Sequence, residues 1–269
     1  MNLRVKCRIL SHSHTIPEDL FSVFDGEEYC YMHMRRVDES RFDFSIKTTD
    51  LDPQSDVVTQ GNKGSYALAR FMMGLNIASL GLFDWDLKFQ HPPYFVITND
   101  QDEPIAHVAT NVHSDSFSFY EPKLVLATGS LVRATQIMSA MIHEPEDHVF
   151  TEYMKGIYHF GLRVYGFTFR KEAFANFYRS LEYFVTNRIL NVKRLDNEVR
   201  RFLEAFEKIG LSDSIKQMFR EETYPLRCAQ VMHAQGKRKE ILWEDVAKLK
   251  MVCDATMQQV YKPIWEAQG

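Results

Sequence analysis

The segment Arg227–His233 places an arginine and a histidine six positions apart, and these two side chains can do chemistry together. Histidine is the side chain best suited to moving protons near neutral pH. Arginine is always charged, and its planar fork matches two phosphate oxygens at once. Together they can deprotonate a hydroxyl or protonate a leaving oxygen while stabilising negative charge on phosphorus. These steps suffice for metal-free cleavage of RNA, whose own 2′-hydroxyl is the nucleophile.

The spacing of Arg227 and His233 constrains how they can meet. On an ideal α-helix, six steps put the two Cα positions about 120° apart around the axis and about 9 Å apart along it. The two residues therefore do not share one face. A joint site needs local unwinding near Gly236, a long reach from Arg227, or a second copy of the helix from a partner subunit. A two-fold dimer would bring two such pairs to one groove.

The residues around this pair predict a helical bundle over 166–269. Aromatic residues at three- and four-residue spacing in EAFANFYRSLEYFVTNRIL indicate an amphipathic helix. The next helix is predicted to open at Asp196 as N-cap and to close at Gly210 as C′ residue. Further boundaries follow from capping residues, glycine and proline: starts at Ser212 or Asp213, at Pro225 and at Trp243, a stop near Gly236, and a break at Pro263.

The first 165 residues predict a mixed α/β domain, which makes the chain α+β overall. LRVKCRIL and RFDFSIKT alternate apolar and polar residues as half-buried strands do. YALARFMMGLNIASLGLF is apolar almost all round and indicates a buried helix. PYFVITNDQDEPIAHVATNV has two β-rich runs around a turn-forming segment and predicts a hairpin. A strand and two helices are expected next, in KLVLAT, VRATQIMSAMI and TEYMKGIYHFGLRVYGF.

The C-terminal part resembles the HEPN superfamily, in which a bundle of four or five helices carries an R-x(4–6)-H motif late in the domain. The resemblance covers roughly 170–269 and depends on the FYRSLEYF helix, on RCAQVMH followed by AQG, and on a closing helix. It implies a metal-independent endoribonuclease with a composite site at a homodimer interface, often in antiviral defence or toxin–antitoxin regulation. Arg227 matches the motif arginine and His233 the motif histidine. Most members have a polar residue directly after the arginine, where this chain has Cys228.

Charge and composition set further expectations. The net charge of −4 divides unevenly, because residues 1–170 hold 15 Lys and Arg against 22 Asp and Glu, whereas 171–269 hold 17 against 14. A nucleic-acid partner is therefore expected first on the C-terminal part. Four scattered cysteines without C-x-x-C spacing favour reduced thiols. No apolar run long enough for a membrane span is present, so the protein is expected in the cytoplasm and away from membranes.

Two groups of residues outside the Arg–His pair were weighed for binding. Lys237, Arg238 and Lys239 follow the motif and are assigned to RNA phosphates, with a solvated turn as the alternative. His12 and His14 would share a face of a strand and could ligate one metal, but no third ligand has a recognisable spacing. Exposed polar residues are the preferred interpretation there. No metal and no cofactor is expected.

Three functional hypotheses follow. The first is an endoribonuclease that acts on RNA as a homodimer, with an N-terminal sensor or specificity domain and an antitoxin or trigger ligand as a further partner. The second is a non-catalytic module for dimerisation or nucleotide binding. The third is a metal-dependent hydrolase built on the N-terminal histidines.

Overall fold

A computed structural model describes the chain over 2–18, 22–23, 31–48, 57–86, 94–98, 101, 103–108, 124–141, 148–164, 167–228 and 240–266. Within these ranges the protein combines helices with a small antiparallel sheet, which is the expected α+β composition. No helix in the described ranges is both long enough and apolar enough to cross a membrane.

The main sheet is antiparallel and has seven strands, in the order β3-β4-β5-β1-β7-β8, with β6 also paired to β1. Strands β2 and β9 form a separate parallel pair, and β10 and β11 form a short hairpin. The strand bounds are β1 Asn2–Ser11, β2 His14–Thr15, β3 Ser22–Val23, β4 Tyr31–Asp38, β5 Arg41–Thr48, β6 Phe83–Trp85, β7 Tyr94–Thr98, β8 Pro104–Val108, β9 Leu124–Val125, β10 Arg163–Val164 and β11 Phe167–Thr168.

The predicted strands LRVKCRIL and RFDFSIKT are confirmed as β1 and β5, and the predicted hairpin is confirmed as β7 and β8. Period-two alternation buries one face of the sheet, because successive side chains of a strand point to opposite sides. Val5, Cys7 and Ile9 of β1 are buried, as are Phe42 and its alternate neighbours on β5.

Eight α-helices and two π-helical turns make up most of the helical part of the described chain, and Arg227 and Cys228 are also π-helical. The helix bounds are α1 Val57–Ser79, α2 Thr128–Ala140, α3 His148–Gly161, α4 Arg170–Phe184, α5 Glu198–Lys208, α6 Asp213–Met218, α7 Tyr224–Leu226 and α8 Trp243–Glu266. The π-helical turns are Val185–Leu190, directly after α4, and Phe219–Thr223, between α6 and α7.

Helix α1 covers the buried face of the sheet, and its all-round apolar pattern has a direct cause. One side stacks on the sheet, with the rings of Phe71 and Phe44 3.9 Å apart. The opposite side packs against α2, where Gly74 approaches the backbone of Ala134. A helix between two layers has no polar face to present, as the sequence predicted for a buried helix.

The close of α5 follows the prediction, whereas its start does not. Gly210 has a φ of +68°. Its N–H and that of Leu211 donate to the carbonyls of Glu207 and Phe206, which is the double bond of a Schellman motif. The predicted N-cap at Asp196 is wrong, because the residue that precedes the helix is Asn197, held in the left-handed region at φ +51°.

Two predicted helix ends are also wrong. The helix expected to run through TEYMKGIYHFGLRVYGF stops at Gly161 and gives way to the β10–β11 hairpin. Gly161 approaches Asp84 of the sheet so closely that a Cβ there would overlap its carboxylate. Pro263 does not break α8, which continues to Glu266. The missing N–H lies in the last turn, so few helical bonds are lost, and Val260 and Tyr261 pack on the core just before it.

The buried side chains on both sides of residue 165 belong to one hydrophobic cluster. Helix α3 of the first predicted domain packs along α4 of the second, and α1 and α2 contact α8. The division into domains 1–165 and 166–269 stays a prediction. In the described residues, the sheet layer and the helical layer share this core.

Candidate functional site

Arg227 lies in a continuous helical stretch that begins at Asp213, passes through α6, a π-helical turn and α7, and includes Cys228, the last described residue before 229. The cap predicted at Ser212 or Asp213 is confirmed, since Ser212 is the N-cap of α6. The predicted helix start at Pro225 lies one residue from the start of α7 at Tyr224, although the chain is already helical before it, in the π-helical turn that ends at Thr223. Pro225 lies in the first turn of α7, just after this turn, where the backbone hydrogen-bond register is shifted and a missing N–H is tolerated.

Three helices converge on the Arg227 guanidinium. Its Nη1 lies 2.9 Å from Oε2 of Glu198, in the first turn of α5, and the two side chains are each 16% exposed. Its Cζ lies 5.0 Å from the ring centroid of Tyr178 on α4, a cation–π contact. The hydroxyl of Tyr178 donates to Oε1 of Glu198 at 2.7 Å. Both carboxylate oxygens of Glu198 therefore have partners. Glu198 binds one edge of the Arg227 guanidinium, and the Tyr178 ring covers one of its faces.

The electrostatics of this cluster favour a charged arginine. Burial raises the pKa of Tyr178, and its hydrogen bond to Glu198 raises it further. Burial raises the pKa of Glu182, as does the negative charge of Glu198, whereas Arg227 lowers it. For Arg227 itself, burial acts to lower the pKa, but Tyr178 and Glu198 outweigh it and the net shift is upward.

The thiol of Cys228 is half-buried and contacts its neighbours on the same turn. Burial raises the pKa of Tyr224 to about 12, with the hydrogen bond to Cys228 as the next cause. The Tyr224 hydroxyl also lies 3.5 Å from Oε2 of Glu198. Cys228 thus takes part in the packing around Arg227, at a position where a polar residue was expected from the HEPN resemblance.

The other predicted site residues lie outside the described residues, since the structure describes no residue from 229 to 239. These are His233, Lys237, Arg238 and Lys239. The structure therefore places the arginine of the predicted pair and leaves the pairing itself a prediction. The chain resumes at Glu240, whose carboxylate forms an ion pair with Arg170 at the start of α4. The described residues on the two sides of 229–239, Cys228 and Glu240, thus contact the same group of helices.

The interpretation of His12 and His14 as exposed polar residues is wrong, because both are buried. The ring of His14 stacks on Phe83, and its Nδ1 lies 2.7 Å from Oγ of Ser13. Burial lowers the pKa of His14, and the nearby charge of Lys250 lowers it further. His12 packs edge-to-face on Phe160. No group of three His, Cys, Asp or Glu residues in the described ranges is arranged to hold a metal.

A buried polar cluster that the sequence analysis missed connects α8 to the sheet layer. Nζ of Lys250 lies 2.5 Å from Oδ2 of Asp254 and donates to the carbonyl oxygen of Gly81 at 2.6 Å. The Tyr153 hydroxyl donates to Oδ1 of Asp254 at 2.5 Å. The available signal was a lysine and an aspartate four positions apart within the apolar run of α8, since such a pair shares one helix face. These groups have all their bonds within the fold, so the cluster is structural.

No protein-family model, no curated protein and no solved structure matches the chain. The motif, the bundle around Arg227 and the geometry of its contacts therefore carry the functional argument.

Proposed function

We propose that this chain is a metal-independent endoribonuclease of the HEPN type, with Arg227 and His233 as its catalytic residues. The observation that carries the proposal is the placement of Arg227 by Glu198 and Tyr178. A guanidinium has five N–H donors in a fixed fork. Glu198 holds one edge, so the charge is oriented before substrate arrives, as electrostatic stabilisation of a transition state requires.

The reaction is an internal displacement at phosphorus. The 2′-oxygen of one nucleotide attacks the adjacent phosphorus, and the bond from phosphorus to the 5′-oxygen of the next nucleotide breaks. His233 takes the 2′-hydroxyl proton or gives a proton to the leaving 5′-oxygen, and Arg227 stabilises the charge on the phosphate oxygens. The products are a 2′,3′-cyclic phosphate and a 5′-hydroxyl, and no metal takes part in the proposed reaction.

The proposed active form is a homodimer. A two-fold axis would place the Arg227 of one subunit near the His233 of its partner, which removes the difficulty that the two residues do not share a helix face. Lys237, Arg238 and Lys239 would bind flanking RNA phosphates. The N-terminal part would act as a sensor or specificity domain, with an antitoxin or a trigger ligand as its partner. The enzyme would act in the cytoplasm.

The test is cleavage of mixed RNA in EDTA, with the fragment ends identified by mass spectrometry. Wild type should give 2′,3′-cyclic phosphate ends, and His233→Ala and Arg227→Ala should each lower the rate by at least about a hundredfold. Arg220→Ala removes an exposed arginine two turns earlier on the same helical stretch and should leave the rate unchanged. Arg227→Ala leaves Glu198 without its ion pair, so its thermal unfolding is measured beside the rate. His233→Ala keeps both Arg227 and Glu198, and its thermal unfolding is measured in the same way. Intact RNA with folded wild type contradicts the proposal.

One observation favours the second candidate, a non-catalytic dimerisation or nucleotide-binding module. The charge of Arg227 is balanced by Glu198, and a half-buried, paired arginine is also what a structural anchor looks like. Under this alternative, Arg227→Ala lowers the unfolding temperature, and RNA incubated with wild type and with both variants stays equally intact.

A further inference from the structure

A cleft of about 340 Å³ lies between helices of the two predicted domains. Its described lining residues come from α1, from the ends of α2 and α4, from the start of α3 and from α8. Arg188, in the π-helical turn after α4, is the charged residue among them. Each of the other described lining residues has an apolar or aromatic side chain. Binding sites for small organic molecules have this predominantly apolar lining and a volume in this range.

The cleft has a buried floor and an open mouth. Met73 of α1, Val149 of α3 and Phe184 of α4 are buried, whereas Ala140 at the end of α2 is exposed and Val260 of α8 is half-buried. A small molecule can therefore enter from solvent and lose most of its contact with water inside. Folded interiors hold few voids larger than a water molecule, because empty space forfeits dispersion contacts. Free space of this size beside buried side chains is thus an exception that a bound ligand would explain.

Two pairs of aromatic rings line the cleft and indicate which kind of ligand it fits. The rings of Tyr66 on α1 and Phe150 on α3 meet edge to face, with centroids 4.7 Å apart. Those of Phe184 on α4 and Tyr261 on α8 are 6.1 Å apart. Aromatic rings favour edge-to-face or offset contacts with further rings, and the thioether of Met73 favours ring edges. A planar aromatic ligand gains these contacts, whereas a flexible aliphatic chain loses rotational freedom on binding.

The volume of the cleft sets the size of that ligand. An apolar cavity of about 150 Å³ holds one benzene molecule. The cleft, at about 340 Å³, offers roughly twice that volume, which suits two fused rings. A helix of a partner protein does not fit, because a cylinder about 10–12 Å wide fills this volume within about 3–4 Å of its length.

We propose that the cleft binds an apolar planar molecule of two fused aromatic rings, of the size of indole or naphthalene. The ligand contacts helices of both predicted domains, so its binding stabilises the packing of α1, α2 and α3 against α4 and α8. This site is separate from the proposed nuclease site, since Arg227 and its partners Tyr178 and Glu198 are not among the residues that line it.

Calorimetric titration of the full chain with indole tests the proposal. We expect a Kd on the order of 0.1 mM and a negative change in heat capacity, which marks the burial of apolar surface. At this Kd, 1 mM indole makes the folded state about elevenfold more favourable and raises the unfolding temperature by about 2–3 °C. Phenol, which has one ring, and octanoate, which is an aliphatic chain, should each bind at least about threefold more weakly.

Matched valine variants locate the site. Val260→Trp puts an indole ring in the lining, so it should fill the cleft and weaken indole binding at least about tenfold. Val132→Trp makes the same change at an exposed valine of α2 outside the described lining, and should bind indole as wild type does. Ala140→Trp, at the exposed end of α2, narrows the cleft without changing a buried residue and replaces Val260→Trp if that variant does not fold. Circular dichroism shows which variants are folded.

Three results would overturn the proposal. The first is folded wild type that binds no indole. The second is indole binding that is equally tight in wild type and in the folded variant of the lining, or equally weakened in Val132→Trp. The third is phenol or octanoate that binds as tightly as indole, which would refute the class of ligand. None of these measurements involves RNA, so their outcome is independent of the cleavage test.

Discussion

Replacing Lys250 with methionine should be among the most destabilising single changes in the described part of the chain. The substitution keeps the length of the side chain but removes its charge from a site where the side chain is 3% exposed. Asp254, at 1% exposure, then loses its ionic partner, and the carbonyl of Gly81 loses its donor. Breaking a buried ion pair at one partner costs roughly 3–5 kcal/mol. For a chain of this size, that cost lowers the unfolding temperature by roughly 5–9 °C.

The pH dependence of the free energy of unfolding provides a second test of Lys250→Met. Burial raises the pKa of Asp254, whereas Lys250 and the Tyr153 hydroxyl oppose that rise. Without Lys250 the folded-state pKa moves further above the unfolded value, so the folded variant takes up a proton. A carboxyl with a raised folded pKa loses stability as pH rises from the unfolded value through the folded one. The difference in the free energy of unfolding between Lys250→Met and wild type should therefore narrow as the pH falls towards the unfolded-state pKa of an aspartate, about 3.9.

Chemical denaturation with matched variants tests this reasoning. Lys155→Met, at an exposed lysine of α3, should change the free energy of unfolding by less than about 0.5 kcal/mol. The triple variant Lys250→Met/Asp254→Leu/Tyr153→Phe removes every charge and donor of the cluster. Its free energy of unfolding should lie only about 1–2 kcal/mol below that of wild type, which is the cost of leaving the Gly81 carbonyl without a donor. A loss below about 1 kcal/mol in the single variant, or a triple variant no better than the single one, would refute the reasoning.

Three further predictions follow from backbone and electrostatic features. Gly161→Ala should lower the free energy of unfolding by about 1–3 kcal/mol, because the new Cβ would overlap the Asp84 carboxylate. In urea unfolding, Gly161→Ala/Asp84→Ala should regain much of this stability, and no regain would contradict the close approach of Gly161 to Asp84. Gly210→Ala should lower the free energy of unfolding by about 1 kcal/mol through the φ of +68° alone, since an added Cβ there would meet open space. Gly129→Ala, whose added Cβ also meets open space but at an ordinary φ, should not destabilise the protein. Burial acts to raise the pKa of Asp43, but the hydrogen bonds from Arg8 and Arg35 prevail and lower it. The ionised carboxylate therefore stabilises the folded protein above about pH 4, the unfolded-state pKa, and this stabilisation is lost as the pH falls through the lower pKa of the folded state. Acid titration of wild type against Asp43→Asn checks this, and a constant difference down to pH 2 would contradict it.

The fold was predictable where local pattern and tertiary environment agree. Strands β1 and β5 alternate at period two because one face meets α1, and α1 is apolar all round because it lies between the sheet and α2. Gly210 was identifiable as a helix end because few other residues adopt a positive φ at low cost. Helix ends set by long-range contacts were not predictable: α3 stops where Gly161 meets Asp84, some 80 residues away in sequence.

The candidate site was predictable in part. The motif arginine could be named from sequence, but its partners could not, because Tyr178, Glu198 and Arg227 come together from three helices. The position of Arg4, Lys6, Arg8, Arg35 and Lys47 on one face of the sheet escaped notice for a different reason. A net charge averages over a segment, and only the register of β1, β4 and β5 shows that cations scattered along the sequence share one surface. His12 and His14 look exposed by residue type, yet the packing of Phe160 and Phe83 buries them.

The most direct test of the central claim compares wild type with His233→Ala on one defined RNA in EDTA and identifies the new ends by mass spectrometry. We expect 2′,3′-cyclic phosphate and 5′-hydroxyl ends from wild type, and a rate at least about a hundredfold lower from His233→Ala at equal folded concentration. Equal rates for the two proteins, or cleavage by wild type that disappears with EDTA, would contradict it.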